Sequence, residues 1–421
     1  RNRMLGARVV VTGLGIVSPI GIGIPSFWQA ALKGVSGISA IQTLGDFPLD
    51  FYRSKVAGQV FDFSPPDPGE DKFSSRVDRY AQFALTAARE AIRDSQLDLQ
   101  KEPLERMGIA AGVGMGGMMM GERELTNLYD SRKPQRVHPN FIPTITLNSA
   151  SGILSLALGA KGPNTTISTA CSSSIHAIGQ GMQMIRQGQA DVVVAAGADA
   201  SITPLVFAGF CSLRALSTKY NACPSKASRP FDRGRDGFVM GEGAGVLILE
   251  SLRHATRRKA KIYAELVGYA ATSEAYHMVI PREDGSDIAR TMRLALKDAG
   301  LAPKQVDYVN AHATATMVGD EVEVKGLRTV FGRRADKLFV NATKSLVGHT
   351  LGAAGAIGTI ASVLSLQTGM IHPTVNYDDP DPQCALPGLS NAVQQGSIQV
   401  ALINAFGFGS NNGVLVLKGM S

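Results

Sequence analysis

Apolar residues along the chain fall into short unbroken runs that alternate with longer amphipathic stretches. In the first half, the short runs predict strands at residues 8–11, 108–113, 191–196 and 243–250. Between them, Tyr80 and several alanines recur over residues 80–91 at the spacing of one helical face, and residues 175–186 also have helical character. Strands alternating with helices are typical of a largely parallel sheet covered by helices. The pattern therefore predicts an α/β fold.

The second half of the chain repeats this scheme. Residues 260–268 (AKIYAELVG) are similar to residues 7–15 (ARVVVTGLG). Two closely spaced apolar strands at 400–404 and 413–417 correspond to the last two predicted strands of the first half, at 191–196 and 243–250. A solvated stretch separates the halves and contains Arg253, Arg257, Arg258, Lys259 and Lys261. We therefore expect an internal duplication, with halves at residues 1–255 and 256–421 that share one compact body.

Composition narrows the class of protein. Four cysteines in 421 residues, with no CxxC pair, argue against a disulfide framework and a zinc site and favour a reducing compartment. No apolar run reaches the roughly 20 residues that span a bilayer, and no signal peptide is visible. Residues 1–3 precede Met4, which fits either a tag remnant or a trimmed leader.

The formal net charge is +7, which favours an acidic partner through long-range attraction. Nucleic acid is the usual acidic partner, but the chain has one tryptophan and no basic run interleaved with aromatic residues. An acidic carrier protein fits the charge equally well. We expect no nucleic-acid partner.

One cysteine has a setting that favours chemistry. Cys171 lies in STACSSS (168–174), after residues 164–167 and at the start of a predicted helix. The helix dipole and free backbone N–H groups at such a position favour the reactive thiolate. Taken alone, the motif fits an inert buried cysteine better, because buried free cysteines are common.

Two histidines follow predicted strands of the second half. His312 lies in NAHATAT (310–316), and His349 ends NATKSLVGH (341–349), five residues after Lys344. Sites of α/β proteins form at strand ends of this kind. A glycine-rich loop (404–412, NAFGFGSNN) could present backbone N–H groups to a ligand. Taken singly, these segments also fit a turn-capping histidine, a packing histidine beside a surface lysine, and a hairpin loop.

A G-x-G-x-x-G match at 112–117, with Asp130 further on, offers a different interpretation, that of a dinucleotide site. The match follows the second strand, however, and three methionines come directly after it. These are more typical of an apolar pocket wall than of a diphosphate turn. We therefore rank this interpretation well below one based on the cysteine.

Together, the motifs resemble those of the β-ketoacyl-[acyl-carrier-protein] synthases of the thiolase superfamily, in particular the elongating (type II) enzymes. The resemblance extends from residues 9–13 to the final strand and includes SRPFD (228–232) and RDGFVMGEG (235–243). It implies a duplicated thiolase-like αβαβα layered fold, normally homodimeric. It also implies decarboxylative condensation of an acyl chain with malonyl-acyl-carrier-protein in fatty-acid biosynthesis. No cofactor is implied, because the phosphopantetheine arrives on the acyl carrier protein.

The resemblance also implies roles for individual residues. Cys171 is similar to the acyl-accepting nucleophile, His312 and His349 to the decarboxylation pair, and Lys344 to its supporting cation. The remaining matches are Glu323 as the carboxylate partner of Lys344, Phe408 as the gate and oxyanion donor, Thr314 and Thr316 as pantetheine contacts, and Met115 and Phe210 as acyl-pocket walls.

Three positions depart from the family pattern. Ala315 and Met317 stand in HATATM where HATSTP or HGTSTP is usual, and Ser410 replaces a glycine of the gating loop. A ketosynthase of a specialised polyketide or polyene pathway therefore stays an alternative.

Two other relatives of the same fold fit less well. A non-catalytic chain-length partner would lack Cys171. A degradative thiolase would need a second catalytic cysteine near the C-terminus, where Cys384 lies in a loop-like stretch. The expected location is the bacterial cytoplasm or an organelle matrix or stroma.

Overall fold

The fold is described from a computed structural model, which describes residues 6–420 except 43, 46 and 66–76. The strands of the first half are β1 (Val9–Ser18), β2 (Gly21–Ile22), β3 (Ser39–Ala40), β4 (Val56–Ala57), β5 (Met107–Val113), β6 (Asn164–Ile167), β7 (Val192–Asp199) and β8 (Gly243–Ser251). Its helices are α1 (Ile24–Leu32), α2 (Arg79–Ser95), α3 (Met118–Ser131), α4 (Phe141–Ile145), α5 (Ser149–Leu158), α6 (Ser173–Arg186), α7 (Pro204–Ser212) and α8 (Leu252–Arg257).

The second half begins with the strand that follows α8. Its strands are β9 (Ala264–Ser273), β10 (Tyr308–Asn310), β11 (Phe339–Asn341), β12 (Met370–Ile371), β13 (Gln394–Gln395), β14 (Val400–Gly407) and β15 (Asn411–Lys418). Its helices are α9 (Ser286–Ala299), α10 (Met317–Phe331), α11 (Lys344–Val347) and α12 (Ala354–Thr368). The strands and helices predicted from the apolar pattern are confirmed, with shifts at their ends.

The strand order demonstrates the duplication. The first half runs β6-β5-β7-β8-β1 and the second β11-β10-β14-β15-β9, so each has the order third, second, fourth, fifth, first. In each half, the two strand pairs at the outer end of the sheet are parallel, and the two pairs nearer the other half are antiparallel. β1 pairs with β9 and joins the halves. The repeat is thus confirmed as topology, while the boundary between residues 255 and 256 stays a prediction.

Each central strand contributes side chains to two different cores, because successive side chains of a strand point to opposite faces of the sheet. In β7, Val193 and Ala195 face the central core, whereas Val192 and Val194 face the outer core. Helices α6 and α12 lie between the two sets of strands and contact each other, α2 covers the outside of the first set, and α9 covers the second. The layers are therefore αβαβα, as predicted.

The central helix α12 is unusually apolar. Within the part of the chain that the structure describes, Leu351–Thr368 is the one helical stretch long and apolar enough to cross a bilayer by length and composition, and 83% of it is buried inside the protein. Its apolar surface is thus used in packing against strands of both halves. This position explains why the helix has no polar face.

Candidate active site

The loop from β6 to α6 forms a sharp elbow that presents Cys171. Ala170 adopts a left-handed backbone conformation with φ 51°, which is strained for a residue with a Cβ. Hydroxyl groups hold the bend, since Ser173 Oγ accepts from Thr169 N at 2.9 Å and Ser172 Oγ donates to the Thr169 carbonyl at 2.8 Å. Cys171 lies directly before the N-cap residue of α6 and is 7% exposed.

The loop between β14 and β15 crosses this elbow from the other half. Gly407 is needed there, because a Cβ would lie 2.7 Å from the Thr169 carbonyl oxygen and 3.2 Å from Cys171 N. The next residue, Phe408, directs its backbone N–H at the Cys171 thiol, as does Cys171 itself. The glycine thus brings the N–H of Phe408 close to the sulfur, where the predicted oxyanion donor is required.

Burial dominates the ionisation of Cys171. Desolvation raises the pKa of the thiol to about 11, although the Lys344 charge and the Phe408 N–H act in the opposite direction. The helix start predicts a thiolate, but burial outweighs the Lys344 charge and both N–H groups, so the pKa of the thiol rises instead of falling. At neutral pH the resting group is a thiol, and its proton must pass to a base during the reaction.

A buried carboxylate holds the backbone around His312. Glu323 accepts the backbone N–H groups of His312 and Ala313 at 2.8 and 2.7 Å, and Asn404 Nδ2 donates to it at 3.0 Å. Glu323 lies on α10, one layer behind the histidine. It therefore positions the main chain of the β10–α10 loop. Its charge also acts on Lys344, the cation that it was predicted to partner.

Lys344 determines the tautomer of His312. Its Nζ lies 3.5 Å from His312 Nδ1, and an ammonium can only donate to that nitrogen. The proton of the imidazole is then on Nε2. Burial lowers the pKa of Lys344 to about 8, with the Glu323 charge opposing this shift, so the lysine is mostly charged at neutral pH.

The two histidine rings meet edge to face. Their centroids are 5.6 Å apart at an interplanar angle of 88°. Burial, and then the Lys344 charge, lower the pKa of both rings well below 6.5, so both imidazoles are neutral at neutral pH. Neither ring nitrogen of His349 has a hydrogen-bond partner among the residues that the structure describes. A buried polar group without a partner is costly, so these atoms are available to a substrate.

One cavity of about 530 Å³ brings the predicted residues together. Eight of the ten line it, namely Cys171, His312, His349, Phe408, Thr314, Thr316, Met115 and Phe210. Lys344 and Glu323 do not line the cavity and stand behind His312. At the apolar wall, the ring centroids of Phe210 and Phe408 are 6.4 Å apart. The hydroxyls of Thr314 and Thr316 lie 3.2 Å apart.

A buried ionic frame supports the strained loop after His312, and reasoning from the sequence missed it. Ala313 and Ala315 both have positive φ, of 36° and 68°. Arg235 donates to the carbonyls of residues 316 and 317 at 3.1 and 2.9 Å. Asp320 accepts the N–H of Ala315 at 3.1 Å. The only available signal was the charged string 235–243, which gives no indication of the loop it supports.

The glycines of the G-x-G-x-x-G match allow close packing. A Cβ on Gly112 would lie 2.4 Å from the backbone of α6, and one on Gly114 would lie 2.4 Å from Asp199 Oδ2. Both glycines therefore allow β5 and its loop to approach neighbouring elements. The geometry gives no support to the dinucleotide interpretation.

The second cysteine that a thiolase would require is absent from the cavity. Cys384 is fully buried in the outer core of the second half, and burial raises its pKa to about 12. No cluster of three or more metal-ligating side chains occurs within residues 6–42, 44–45, 47–65 and 77–420.

These features define a thiolase-like αβαβα fold with a cysteine and two neutral histidines in one cavity. The chain matches the family models Beta-ketoacyl synthase, N-terminal domain, over residues 6–255, and Beta-ketoacyl synthase, C-terminal domain, over residues 263–378. The chain belongs to the β-ketoacyl synthase family.

Related sequences and solved structures match this chain over nearly its whole length. A 3-oxoacyl-[acyl-carrier-protein] synthase 2 of Staphylococcus aureus (strain COL) is 44% identical over 411 residues, 98% of both chains. A type II PKS ketosynthase, solved in complex with its acyl-carrier protein and bound to the hexaketide, superposes with a TM-score of 0.92 at 34% identity, covering 99% of this chain and 100% of that one. A β-ketoacyl synthase from Burkholderia phymatum STM815 gives 0.91 at 31% identity, with the same coverage.

Proposed function

We propose that this protein is a β-ketoacyl-[acyl-carrier-protein] synthase that elongates acyl chains in fatty-acid biosynthesis. It would condense an acyl group held on Cys171 with malonyl-acyl-carrier-protein. The main support is the convergence of Cys171, His312 and His349 on one cavity, with the N–H of Phe408 directed at the sulfur. The 44% identity to a 3-oxoacyl-[acyl-carrier-protein] synthase 2 supports the same activity.

In the first half-reaction, the Cys171 sulfur attacks the acyl thioester. Its proton passes to one of the neutral imidazoles that line the cavity, because the thiol is not ionised at rest. The N–H groups of Phe408 and Cys171 then stabilise the oxyanion of the tetrahedral intermediate. The intermediate collapses by breaking the bond to the carrier sulfur, and the departing thiolate takes back the proton from the imidazolium, which leaves acyl-Cys171 and the free carrier thiol. Loss of one such donor typically costs about 10²–10³ in rate.

In the second half-reaction, malonyl-carrier loses carbon dioxide and leaves an enolate. His312 donates from Nε2 because Lys344 occupies Nδ1, and His349 has free ring nitrogens with which to donate a second hydrogen bond. Neutral donors suit this task, since they stabilise the enolate oxygen without protonating it outright. The enolate carbon then attacks the acyl-Cys171 thioester, the new carbon–carbon bond forms, and the bond to the Cys171 sulfur breaks. The Cys171 thiolate takes up a proton, and β-ketoacyl-carrier is released.

The proposed partner is an acyl carrier protein. The net charge of +7 suits an acidic partner, and Thr314 and Thr316 lie in the cavity where a pantetheine arm could reach them. A ketosynthase of the same fold has been solved with its carrier. If attraction between opposite charges guides docking, carrier affinity should fall as ionic strength rises. Equal affinity at low and high salt would contradict this part of the proposal.

We also propose a homodimer. Strand β6 lies at the end of the strand order, so one of its edges is unpaired within the described part of the chain. Helix α5 contacts β6 and α4, and α4 contacts α3. These three helices expose large apolar side chains, namely Leu125, Tyr129, Ile142 and Leu156. An open strand edge beside apolar surface is suited to pairing with a second copy.

No metal or organic cofactor enters the proposed reaction, because each step uses side chains or backbone N–H groups of the cavity. Two of the three relatives named above come from bacteria, Staphylococcus aureus and Burkholderia phymatum. This favours the bacterial cytoplasm over an organelle matrix or stroma as the proposed location.

A ketosynthase of a specialised polyketide or polyene pathway is the second candidate. Its support is the likeness to the type II PKS ketosynthase, together with Ala315, Met317 and Ser410 in the loops around the cavity. Under this alternative the cysteine and histidine chemistry is unchanged, and only the acyl substrate differs.

Reconstituted elongation with saturated acyl-carriers and malonyl-carrier tests the proposal. Formation of β-ketoacyl-carrier from saturated chains of several lengths would support the fatty-acid role. Condensation of only partly reduced or unsaturated acyl groups would favour the specialised pathway. If no acyl group loads onto the protein and none is condensed, both candidates are wrong.

A further inference from the structure

We infer that Ser410 is a specificity-determining residue, whose hydroxyl latches the gating loop (404–412) to the mouth segment (274–282) and restrains the path of long acyl chains. The inference rests on the proposed condensing function. It concerns a side chain that replaces a glycine in the family pattern and that has no part in the chemical steps above.

Four hydrogen bonds hold the gating loop against the mouth segment. Two use only the backbone, since Gly409 N donates to the Met278 carbonyl at 2.7 Å and Glu274 N donates to the Ser410 carbonyl at 3.0 Å. A third joins two side chains, because Asn412 Nδ2 donates to Glu274 Oε1 at 3.0 Å. The fourth is the Ser410 hydroxyl, which donates to the His277 carbonyl at 2.9 Å. A glycine at position 410 would keep the first three contacts and lose the fourth.

The accepting residue is the centre of a turn at the cavity mouth. His277 Nδ1 accepts the backbone N–H groups of Val279 and Ile280 at 3.0 and 3.1 Å. The side chains of Val279 and Ile280 are 37% and 46% exposed and line the cavity. The Ser410 hydroxyl thus connects the loop that carries Phe408 to the apolar rim of the mouth.

The backbone conformation at position 410 is one that favours glycine over serine. Ser410 has φ 65°, in the left-handed region that glycine adopts freely and other residues adopt at a cost. The side chain therefore restrains the loop through its hydrogen bond despite an unfavourable conformation. Serine tolerates such a position less well than glycine, so the substitution is not conformationally neutral.

The consequence for the reaction follows from the place of Phe408. The Phe408 ring lines the same cavity as Cys171, Met115 and Phe210, and its centroid is 6.4 Å from that of Phe210. In this proposal, a long acyl group on Cys171 that extends towards Met115 and Phe210 displaces the Phe408 ring, and an acetyl group does not. Movement of the gating loop away from the mouth segment requires the Ser410 hydrogen bond to break, so the latch slows loading of long chains more than of short ones.

Hydrogen exchange tests the latch without any assay of activity. Ser410→Ala removes the hydroxyl and keeps a Cβ, and Ser410→Gly removes the hydroxyl and accepts the positive φ. The matched control is Ser155→Ala, because the Ser155 hydroxyl donates to the Ala160 carbonyl at 2.8 Å on α5. We expect exchange in both 274–282 and 404–412 to rise about two- to tenfold in both Ser410 variants, the range for one net hydrogen bond, and to stay unchanged there in the control.

Loading rates complete the test. The parent and the variants are incubated with dodecanoyl- or acetyl-pantetheine thioesters, and acylation is followed by intact mass. We expect the dodecanoyl rate to rise about two- to tenfold in Ser410→Ala, with a smaller change in the acetyl rate. Unchanged exchange in 274–282 overturns the latch, and an unchanged ratio of the two rates overturns the role in specificity. If the parent protein itself does not become acylated, the proposed function is wrong. If the parent is acylated and the variant is acylated at the same rate, only the role of Ser410 is contradicted.

Discussion

The two halves share one strand order, yet they place different chemistry at equivalent strand ends. After its second strand, the first half carries Met115 and the second half carries His312. Between the third strand and the central helix, the first half carries Cys171 and the second half His349. One half thus supplies an apolar wall and a nucleophile, and the other supplies hydrogen-bond donors.

This division shows how a duplicated scaffold can support a two-step reaction. Covalent capture needs the sulfur, two N–H donors and one imidazole to take the thiol proton, whereas decarboxylation needs both imidazoles and the cation behind them. The loop from β14 to β15 belongs to the second half, yet its Phe408 N–H reaches across to Cys171. The two half-reactions should therefore respond separately to substitutions in the two halves.

The largest expected effect is that of Cys171→Ala. Condensation should fall by about 10⁴-fold or more, because the covalent intermediate cannot form. Decarboxylation of malonyl-carrier should persist, because both histidines remain. Carbon dioxide release and product formation measured on the same sample check this, and product at the parent rate would mean that Cys171 is not the acyl acceptor.

Substitution of the histidines should have the opposite pattern. In His312→Ala and His349→Ala, acyl loading on Cys171 slows but persists. Condensation falls by about 10²–10⁴-fold, because the enolate oxygen loses one of its hydrogen-bond donors. The measurements are the mass shift with acyl-carrier and the yield of β-ketoacyl product. A histidine variant that condenses at the parent rate would contradict the assigned roles.

A change at Lys344 should alter the pH profile. The lysine is charged below its pKa of about 8 and loses that charge as pH rises through this value. Condensation in the parent should therefore decline above about pH 8. Lys344→Met should lower the rate about 10- to 10²-fold and abolish this alkaline decline. A decline that persists in the variant would show that another group is responsible.

The smallest expected effect concerns the apolar wall of the first half. Met115→Phe adds volume beside the acyl path, where an unbranched methionine can move aside. Loading of the longest accepted chains should fall by about tenfold, while short chains still load. The measurement is the product-length profile, and a profile identical to that of the parent would remove Met115 from the acyl pocket.

Much of the fold was predictable because it depends on local patterns. Alternating apolar runs identified β5, β7 and β8, and the similarity of 7–15 to 260–268 identified equivalent first strands. Cys171, His312 and His349 were predictable because each follows a strand in a distinctive motif, whereas Met115, Phe210, Thr314 and Thr316 were predictable only through the resemblance to the family. Eight of the ten predicted site residues line the same cavity.

What could not be predicted depends on contacts between distant segments. The helix start suggested a thiolate at Cys171, but only the folded structure shows that burial raises its pKa to about 11. Arg235 lies 81 residues from Thr316 in the sequence and still donates to its carbonyl. No local pattern encodes such a pair, and the same holds for the contact between Ser410 and His277.

The most direct test of the central claim is to locate the acyl group on the parent protein. The protein is incubated with acyl-carrier in the absence of malonyl-carrier, digested, and analysed by tandem mass spectrometry. We expect one acyl group per chain, on the peptide that contains Cys171. An acyl group on Cys211, Cys223 or Cys384, or a protein that accepts none, would contradict the assignment of covalent chemistry to the first half.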